Sequence, residues 1–137
     1  MELARFSLEN YKFTYVEMNL EGAKPDSTFD IDFIPSGVYK ESDSSFLLSF
    51  VFKASTADDA TDVITIKCLA KYIFKNVASI DDIPAFFYNN AIAILFPYVR
   101  AFVSTVTLQA NINPLILPTL NLSDLQEKLK NNTTTAK

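Results

Sequence analysis

Hydrophobic and polar residues alternate along two segments in the first half of the chain. In SFLLSFVFKAS and in DVITIKCLAKYIFK, every second residue is apolar. On the second segment the opposite face carries Lys67, Lys71 and Lys75. A period of two predicts β-strands. The short polar link between the segments, TADDATD, predicts that the two strands form an antiparallel hairpin.

Two more strands are predicted before this hairpin. The segment from about Arg5 to Asn19 carries bulky side chains on both faces, which predicts a strand contacted on two sides. After the turn EGAKPDS, the segment TFDIDFI points Phe29, Ile31 and Phe33 inward and is expected to stop at PSG. The expected fold class is α+β, with a four-stranded antiparallel sheet covered on one face by helices from the second half.

The second half of the chain predicts one long helix, from about Asn89 to Ala110. Ser79 or Asp81 offers a cap upstream of it, and Pro84 suits a first turn. Pro97 lies inside the predicted helix. Because proline lacks an amide hydrogen and crowds the preceding turn, a bend is expected there.

This helix is apolar on nearly every side. One stripe would face the sheet, but apolar and small residues also occupy most of the remaining surface, where a surface helix carries Lys and Glu. Either the short remaining pieces of the chain cover that surface, or a second copy of the protein does. We favour the second copy and predict a homodimer or homotetramer. The predicted interface residues are Ile94, Tyr98, Ala101, Phe102 and Thr105.

The sequence predicts neither a membrane span nor a secretion signal. A spanning helix needs roughly 20 apolar residues, whereas Arg100 lies in the middle of the apolar run and Pro114 and Pro118 break its end. The start of the chain, MELARFSLEN, lacks the basic stretch and apolar run of a signal peptide. We therefore expect no membrane insertion and a cytoplasmic location.

After the long helix, INPLILPTLNL is predicted to be an extended connector, because its two prolines exclude a regular helix. A short helix follows, with Ser123 as N-cap, Gln126 in the reciprocal capping position and a thin stripe of leucines. Residues 1–130 are expected to form one domain. Residues 131–137 are expected to form a polar flexible tail.

The amino-acid composition excludes several kinds of catalytic and binding site. The chain has no histidine, one cysteine and two glycines, which excludes His-based catalysis, a cysteine metal cage and glycine-rich phosphate loops. Cys68 lies on an apolar strand face and is expected to be an unreactive core residue. The net charge of −4 argues against a nucleic-acid partner. We expect no enzymatic activity, no metal and no cofactor.

Acidic pairs are the one set of clustered residues that could do acid–base or metal work. They are Asp30 with Asp32, Asp58 with Asp59, and Asp81 with Asp82. TADDATD lacks the glycine and alternating spacing of a calcium loop. A small-ligand-binding or catalytic α+β domain is one alternative interpretation, and a purely structural oligomerisation module is another.

The segments ILFPYVRAFVSTV and NPLILPTLNLSDL resemble the bacterial export chaperone SecB and its SecB-like relatives. The helix motif of that family is matched by Ile94, Leu95, Phe96, Pro97, Tyr98 and Arg100. The end of its connector is matched by Leu117, Leu120, Asn121 and Leu122. The resemblance implies a four-stranded antiparallel sheet under a long helix. It also implies that two sheets join edge to edge and that two such dimers stack through their long helices.

The resemblance further implies a function, which is ATP-independent binding of unfolded polypeptide in apolar grooves. The client would be an exported protein or the antitoxin of a toxin–antitoxin pair. The candidate groove liners are Leu115, Ile116, Leu117, Leu120, Leu122 and Leu125, and ordinary core packing is the alternative role for each. The loop after the first strand, MNLEGAKPDST, is shorter than in the family, which implies a groove of different shape.

In the family, acidic residues on the outer sheet face dock the translocation motor SecA. Glu17 matches one of these positions, and the accompanying acid is replaced by an uncharged residue. Lys67, Lys71 and Lys75 make one strand face basic. SecA therefore stays open as a partner, with Glu17 as the docking residue that the resemblance implies.

Overall fold

The structure is a computed structural model that describes residues 5–21, 23, 27–58, 60–112, 115, 117 and 122–137. In chain order, its elements are β1 (Arg5–Met18), β2 (Phe29–Lys40), β3 (Ser45–Thr56), β4 (Asp62–Lys75), α1 (Ala85–Gln109), α2 (Leu122–Asn131) and β5 (Thr133–Ala136). A short 3-10 turn, Ile80–Asp82, precedes α1. The expected α+β class, with a sheet, a long helix and a short last helix, is confirmed.

The sheet has five strands in the order β1-β4-β3-β2-β5. All neighbours are antiparallel except β5, which pairs with β2 in parallel. The expected sheet of four antiparallel strands is therefore wrong in strand number and in this parallel pair. The fifth strand comes from the segment predicted as a polar tail, whose threonines show no apolar alternation. It forms because the free edge of β2 presents main-chain groups that need hydrogen-bond partners.

β2 also runs further than expected, because it continues through PSG to Lys40. Pro35 is tolerated there because its nitrogen faces the β5 side of the strand, where pairing begins only at Gly37. The Gly37 amide donates to the Asn132 carbonyl at 3.2 Å. Close packing requires glycine at this position, since a Cβ atom would lie 2.2 Å from Cζ of Phe46.

α1 covers one face of the sheet over an aromatic cluster. The ring centroid of Phe87, near the start of α1, lies 4.8 Å from those of Phe6 and Phe46. It lies 4.7 Å from that of Phe74. Strands β1, β3 and β4 thus each place a ring against the same helix residue, which fixes the start of α1 over the centre of the core.

α1 is one helix of 25 residues that begins earlier than predicted and continues through Pro97. Of the two predicted caps, Ser79 is the N-cap of the preceding 3-10 turn, and its amide donates to the Asp82 carboxylate at 3.2 Å. Pro97 leaves the carbonyl of Ala93 without its helical partner. Ala93 is exposed, so that water reaches the region of the missing bond.

Candidate functional site

The two sides of α1 differ sharply in burial. The side that faces the sheet is buried, and its residues are Phe87, Tyr88, Ala91, Ile92, Leu95, Val99, Val103 and Thr107. The other side is largely exposed. Exposed helix surfaces normally carry several charged residues, but Arg100 is the one charged residue of this helix. We call the apolar part of the exposed side the open helix face, defined by Ile94, Tyr98, Ala101, Thr105 and Leu108. The exposed fractions of Ile94, Tyr98 and Leu108 are 39%, 44% and 59%.

The open helix face continues onto β1 through two aromatic stacks. The rings of Tyr98 and Tyr11 stack with centroids 4.4 Å apart. Those of Phe102 and Phe13 are nearly parallel, at 3.9 Å and 9°. Tyr11 keeps 38% of its surface exposed. Because β1 is an edge strand of the sheet, its rings support the helix side chains without covering them.

Four of the five predicted interface residues are exposed, namely Ile94, Tyr98, Ala101 and Thr105. Phe102 is half-buried by its stack on β1. The described part of the chain therefore does not enclose the open helix face. Contact of these residues with a second copy stays a prediction.

By length and composition alone, α1 is also sufficient to cross a membrane. Core helices of soluble proteins meet the same criterion, so this is weak evidence. The sheet-facing residues of α1 are packed in a protein core, and Arg100 interrupts the apolar run near its middle. The absence of membrane insertion stays a prediction.

Two hydroxyl side chains of α1 hold the connector that follows it. The Leu115 amide donates to Oγ1 of Thr107 at 3.0 Å, and the Ser104 hydroxyl donates to the Leu115 carbonyl at 3.1 Å. Thr107 is fully buried, and its hydroxyl donates to the Val103 carbonyl at 2.9 Å. The sequence prediction missed this clamp. Its available signal was a Ser and a Thr three residues apart on a helix that precedes an apolar connector.

The predicted groove liners lie along the connector and α2. Leu115 is half-buried, and Leu117 and Leu125 are buried, with exposed fractions of 1% and 6%. The described residues do not include Ile116 or Leu120, nor the side chain of Leu122. In a single copy, Leu117 and Leu125 pack as core residues. Access of a client to any of these positions stays a prediction.

α2 is fixed to both α1 and the sheet. Leu129 is fully buried. The Gln126 side-chain amide donates to the Ala85 carbonyl at 3.4 Å, and that of Asn132 donates to the Pro35 carbonyl at 3.2 Å. The pairing of β5 with β2 continues this attachment. Both ends of α2 are therefore attached to the rest of the fold.

Two buried titratable groups among the described residues, Cys68 and Tyr72, have raised pKa values. Cys68 is fully buried, and burial raises the pKa of its thiol to about 11. Burial also raises the pKa of Tyr72, whose hydroxyl donates to the Ala91 carbonyl at 2.6 Å. Both groups stay protonated, so Cys68 is the unreactive core residue that the sequence predicted.

The acidic pairs do not form a metal site in the described part of the chain. Their described members are all exposed: Asp30, Asp32, Asp58, Asp81 and Asp82. Among the described residues, no three His, Cys, Asp or Glu side chains lie close enough together to hold a metal ion. Asp59 lies outside the described residues.

Glu17, the candidate docking residue, is exposed on β1. It accepts a hydrogen bond from the Tyr15 hydroxyl, and this bond raises the pKa of Tyr15. In the strand register, Glu17 lies opposite Thr65. It therefore belongs to the sheet face opposite α1, and a docking role there stays a prediction.

Comparison with known proteins identifies the family. The SecB family model, described as preprotein translocase subunit SecB, matches residues 4–133. The chain belongs to the SecB family, which confirms the resemblance drawn from the helix and connector motifs.

Proteins similar to the chain include the following two. One is the SecB-like chaperone Rv1957 of Mycobacterium tuberculosis, solved in complex with a ChAD peptide from the Rv1956 HigA1 antitoxin. The two structures match with a TM-score of 0.70 and 16% sequence identity. The match covers 85% of this chain and 88% of that one. At this identity the likeness shows the fold. The other is the uncharacterized protein MJ0357 of Methanocaldococcus jannaschii, 46% identical over 52 residues, which are 38% of this chain and 34% of that protein. The match spans about a third of the length of this curated relative.

Proposed function

We propose that this chain is a holdase chaperone, which binds unfolded polypeptide without ATP and acts as a homo-oligomer. The observation that carries the proposal is the open helix face, an apolar surface that the described part of the chain leaves uncovered. Membership of the SecB family supports the chaperone role. A solved protein of the same fold holds an antitoxin peptide, which supports a polypeptide client.

The oligomer follows from the surface chemistry of α1. Ile94, Tyr98 and Leu108 expose apolar area to water, and burial of that area is the main favourable term in association. A second copy that presents the same face buries both surfaces at once, since a two-fold contact is self-complementary. The small side chains of Ala101 and Thr105 allow two helices to approach closely at this point.

The client site is the connector with the adjoining part of α2. The clamp on Leu115 uses its main-chain groups and leaves its side chain half-buried. Because the clamp engages only the backbone of Leu115, the half-buried side chain of that residue keeps surface for a client, whereas Leu117 and Leu125 are packed in the core of a single copy. Unfolded polypeptides offer apolar side chains and unpaired main chain, which such a surface masks without any covalent step.

The proposal covers two classes of client, an exported precursor and an antitoxin. It places the chain in the cytoplasm and requires neither a metal nor a nucleotide. SecA is a partner only in the export version, through Glu17. If purified SecA binds the unmodified protein but not Glu17→Lys, the result supports the export version. If SecA does not bind the unmodified protein, the export version is excluded and the antitoxin version remains.

The test is suppression of aggregation of a chemically denatured client, followed by light scattering with and without ATP. We expect suppression at a several-fold molar excess of the chaperone and no effect of ATP. The exposed-turn variant Ser42→Asp should behave like the unmodified protein. An oligomer that leaves aggregation unchanged would point instead to a structural oligomerisation module, and a monomer without activity would remove the proposal.

A further inference from the structure

The outer face of the sheet, opposite α1, exposes apolar side chains. Ile34, Val38 and Leu47 have exposed fractions of 40%, 37% and 42%. The register of β2 and β3 sets Val38 directly beside Leu47 and Ile34 beside the half-buried Val51. An antiparallel sheet with one solvated face normally carries polar residues on that face. We call Ile34, Val38 and Leu47 the apolar lane.

Lysines on the next two strands run alongside the apolar lane. In the register of β3 and β4, Lys71 lies opposite Leu47 and Lys67 lies opposite Val51. Lys12 on β1 lies opposite Leu69, the residue midway between these two lysines. We call Lys12, Lys67 and Lys71 the lysine lane, and the two lanes together the outer patch.

The lysine lane is a local excess of positive charge. Lys71 pairs with Glu9 at 3.3 Å. Lys12 and Lys67 are exposed, and the ion pairs of the described residues do not include them. The Lys67 ammonium lies 5.2 Å from the ring centroid of Tyr15, which leaves its charge unneutralised. A chain with a net charge of −4 therefore carries a positive patch beside an apolar one.

Glu9 lies beside the lysine lane as the partner of Lys71, and Asp43 is close enough for the charge of Lys71 to act on it. Other acids of the outer face lie towards the opposite end of the sheet. Glu17, Thr65, Lys53 and Asp32 form one cross-strand row. Lys53 also lies 3.9 Å from Asp62. Among the described residues, Lys71 is the one lysine of the lane with an ion-pair partner, so Lys12 and Lys67 carry the local excess of positive charge.

We propose that the outer patch binds an acidic amphipathic helix of a partner polypeptide. The two lanes are two strand spacings apart, about 10 Å, which is close to the diameter of an α-helix. Within each lane, Ile34 to Val38 and Lys67 to Lys71 span four residues, or about 13 Å along the strand. A helix lying along the strands places its apolar stripe on the apolar lane. Carboxylates about two turns apart then reach Lys67 and Lys71.

A polypeptide suits the outer patch better than a nucleic acid. A phosphate backbone would use the lysines and leave Ile34, Val38 and Leu47 without a partner. The overall charge of −4 also repels a polyanion that extends beyond the patch. This inference goes beyond the proposed chaperone function, since the outer patch lies on the opposite side of the sheet from the open helix face.

The test uses two labelled helical peptides of about 14 residues, long enough for nearly four turns. Both carry the same leucine stripe, flanked by glutamate in one peptide and by lysine in the other. In fluorescence anisotropy titrations, we expect the acidic peptide to bind at least about tenfold more tightly than the lysine peptide.

Variants of the protein test which residues bind the peptide. Lys67→Glu and Leu47→Asp should each weaken acidic-peptide binding about tenfold. Lys75→Glu, on the same strand and face but outside the patch, should change it by about twofold or less.

Equal affinity for the two peptides overturns the proposal, and so does an equal loss in Lys75→Glu and Lys67→Glu. A single-stranded oligonucleotide that binds as tightly as the acidic peptide also overturns it. Circular dichroism checks that each variant is folded, and Lys67→Gln replaces Lys67→Glu if the latter is not. Aggregation suppression by the same variants is measured separately. A failure of the patch is therefore distinguishable from a failure of the chaperone proposal.

Discussion

The open helix face and the outer patch expose apolar side chains to a similar extent but differ in charge. Tyr98 on the helix and Leu47 on the sheet have exposed fractions of 44% and 42%. Around Tyr98, one helix of 25 residues offers a single charged side chain, Arg100. Around Leu47, lysines occupy the neighbouring strand. Exposed apolar area alone therefore does not define a partner. A face with little charge suits a second copy of itself, whereas a face with several like charges repels its own copy and suits a partner of opposite sign.

The largest expected effect contrasts the two faces of β3 at adjacent residues. Phe46 is fully buried under α1, and Leu47 lies on the outer patch. We expect Phe46→Ala to lower the free energy of unfolding by about 3–5 kcal/mol, because it removes a buried ring and leaves a cavity. Leu47→Ala should cost about 1 kcal/mol or less. Urea unfolding followed by circular dichroism measures both.

Leu47→Ala is the matched control, since it shortens a side chain in the same strand without opening the core. Similar losses of stability in the two variants would contradict the division into a covered face and an open face. Such a result would also show that another molecule or segment packs on the outer face of the sheet in solution.

The second effect concerns the open helix face. Ala101 is exposed at its centre. If two copies meet there, Ala101→Asp places two like charges in an apolar contact. We expect the dissociation constant of the oligomer to rise at least about 100-fold, or about 3 kcal/mol. Sedimentation velocity over a concentration series measures it.

Ser42→Asp adds the same charge in an exposed turn and should leave the oligomer intact. The stability of the Ala101→Asp subunit should change little, because Ala101 is exposed within one copy. An unchanged oligomer in Ala101→Asp would move the assembly contact away from the open helix face.

The smallest effect tests the covered face through pH. The pKa of Cys68 is about 11 in the folded chain and 9.0 for an unperturbed thiol. Above pH 9 the unfolded chain loses this proton while the folded chain keeps it, so the free energy of unfolding falls as pH rises towards 11. We expect a loss of about 1 kcal/mol between pH 8 and pH 10 from this group.

Cys68→Ala removes that contribution, so its stability should decline less over the same interval than that of the unmodified protein. The raised pKa of Tyr88 acts in the same direction in both proteins and cancels in the comparison. The pKa of Tyr72 is raised by burial and, to a smaller extent, by Cys68, so the difference between the two proteins includes this coupling. Parallel pH profiles for the two proteins would show that Cys68 is accessible to solvent.

Much of the fold could be predicted, because each long element carries its own periodicity. The segment SFLLSFVFKAS, whose alternation predicted a strand, forms β3 with nearly the predicted bounds. The apolar run around Val99, which predicted a helix, lies in α1. Pro35 was misinterpreted as a stop, because a proline is compatible with a strand only when its nitrogen faces a free edge, which the sequence does not show. β5 was missed because threonines that pair through their backbone leave no side-chain pattern.

The candidate site was predictable in part. The excess apolar surface of α1 identified Ile94 and Tyr98, and both are exposed in the fold. The clamp of Ser104 and Thr107 on Leu115 was not predictable, because it depends on where the chain returns after the helix. Placing Leu117 in the core required the same knowledge.

By itself, the sequence determined which side of each element avoids water and that α1 has more apolar surface than one sheet can cover. Those properties depend on neighbours along the chain. The tertiary structure alone decided that lysines of β1 and β4 stand beside apolar residues of β2 and β3. Strand register sets that arrangement, and register depends on hydrogen bonds between segments far apart in the chain.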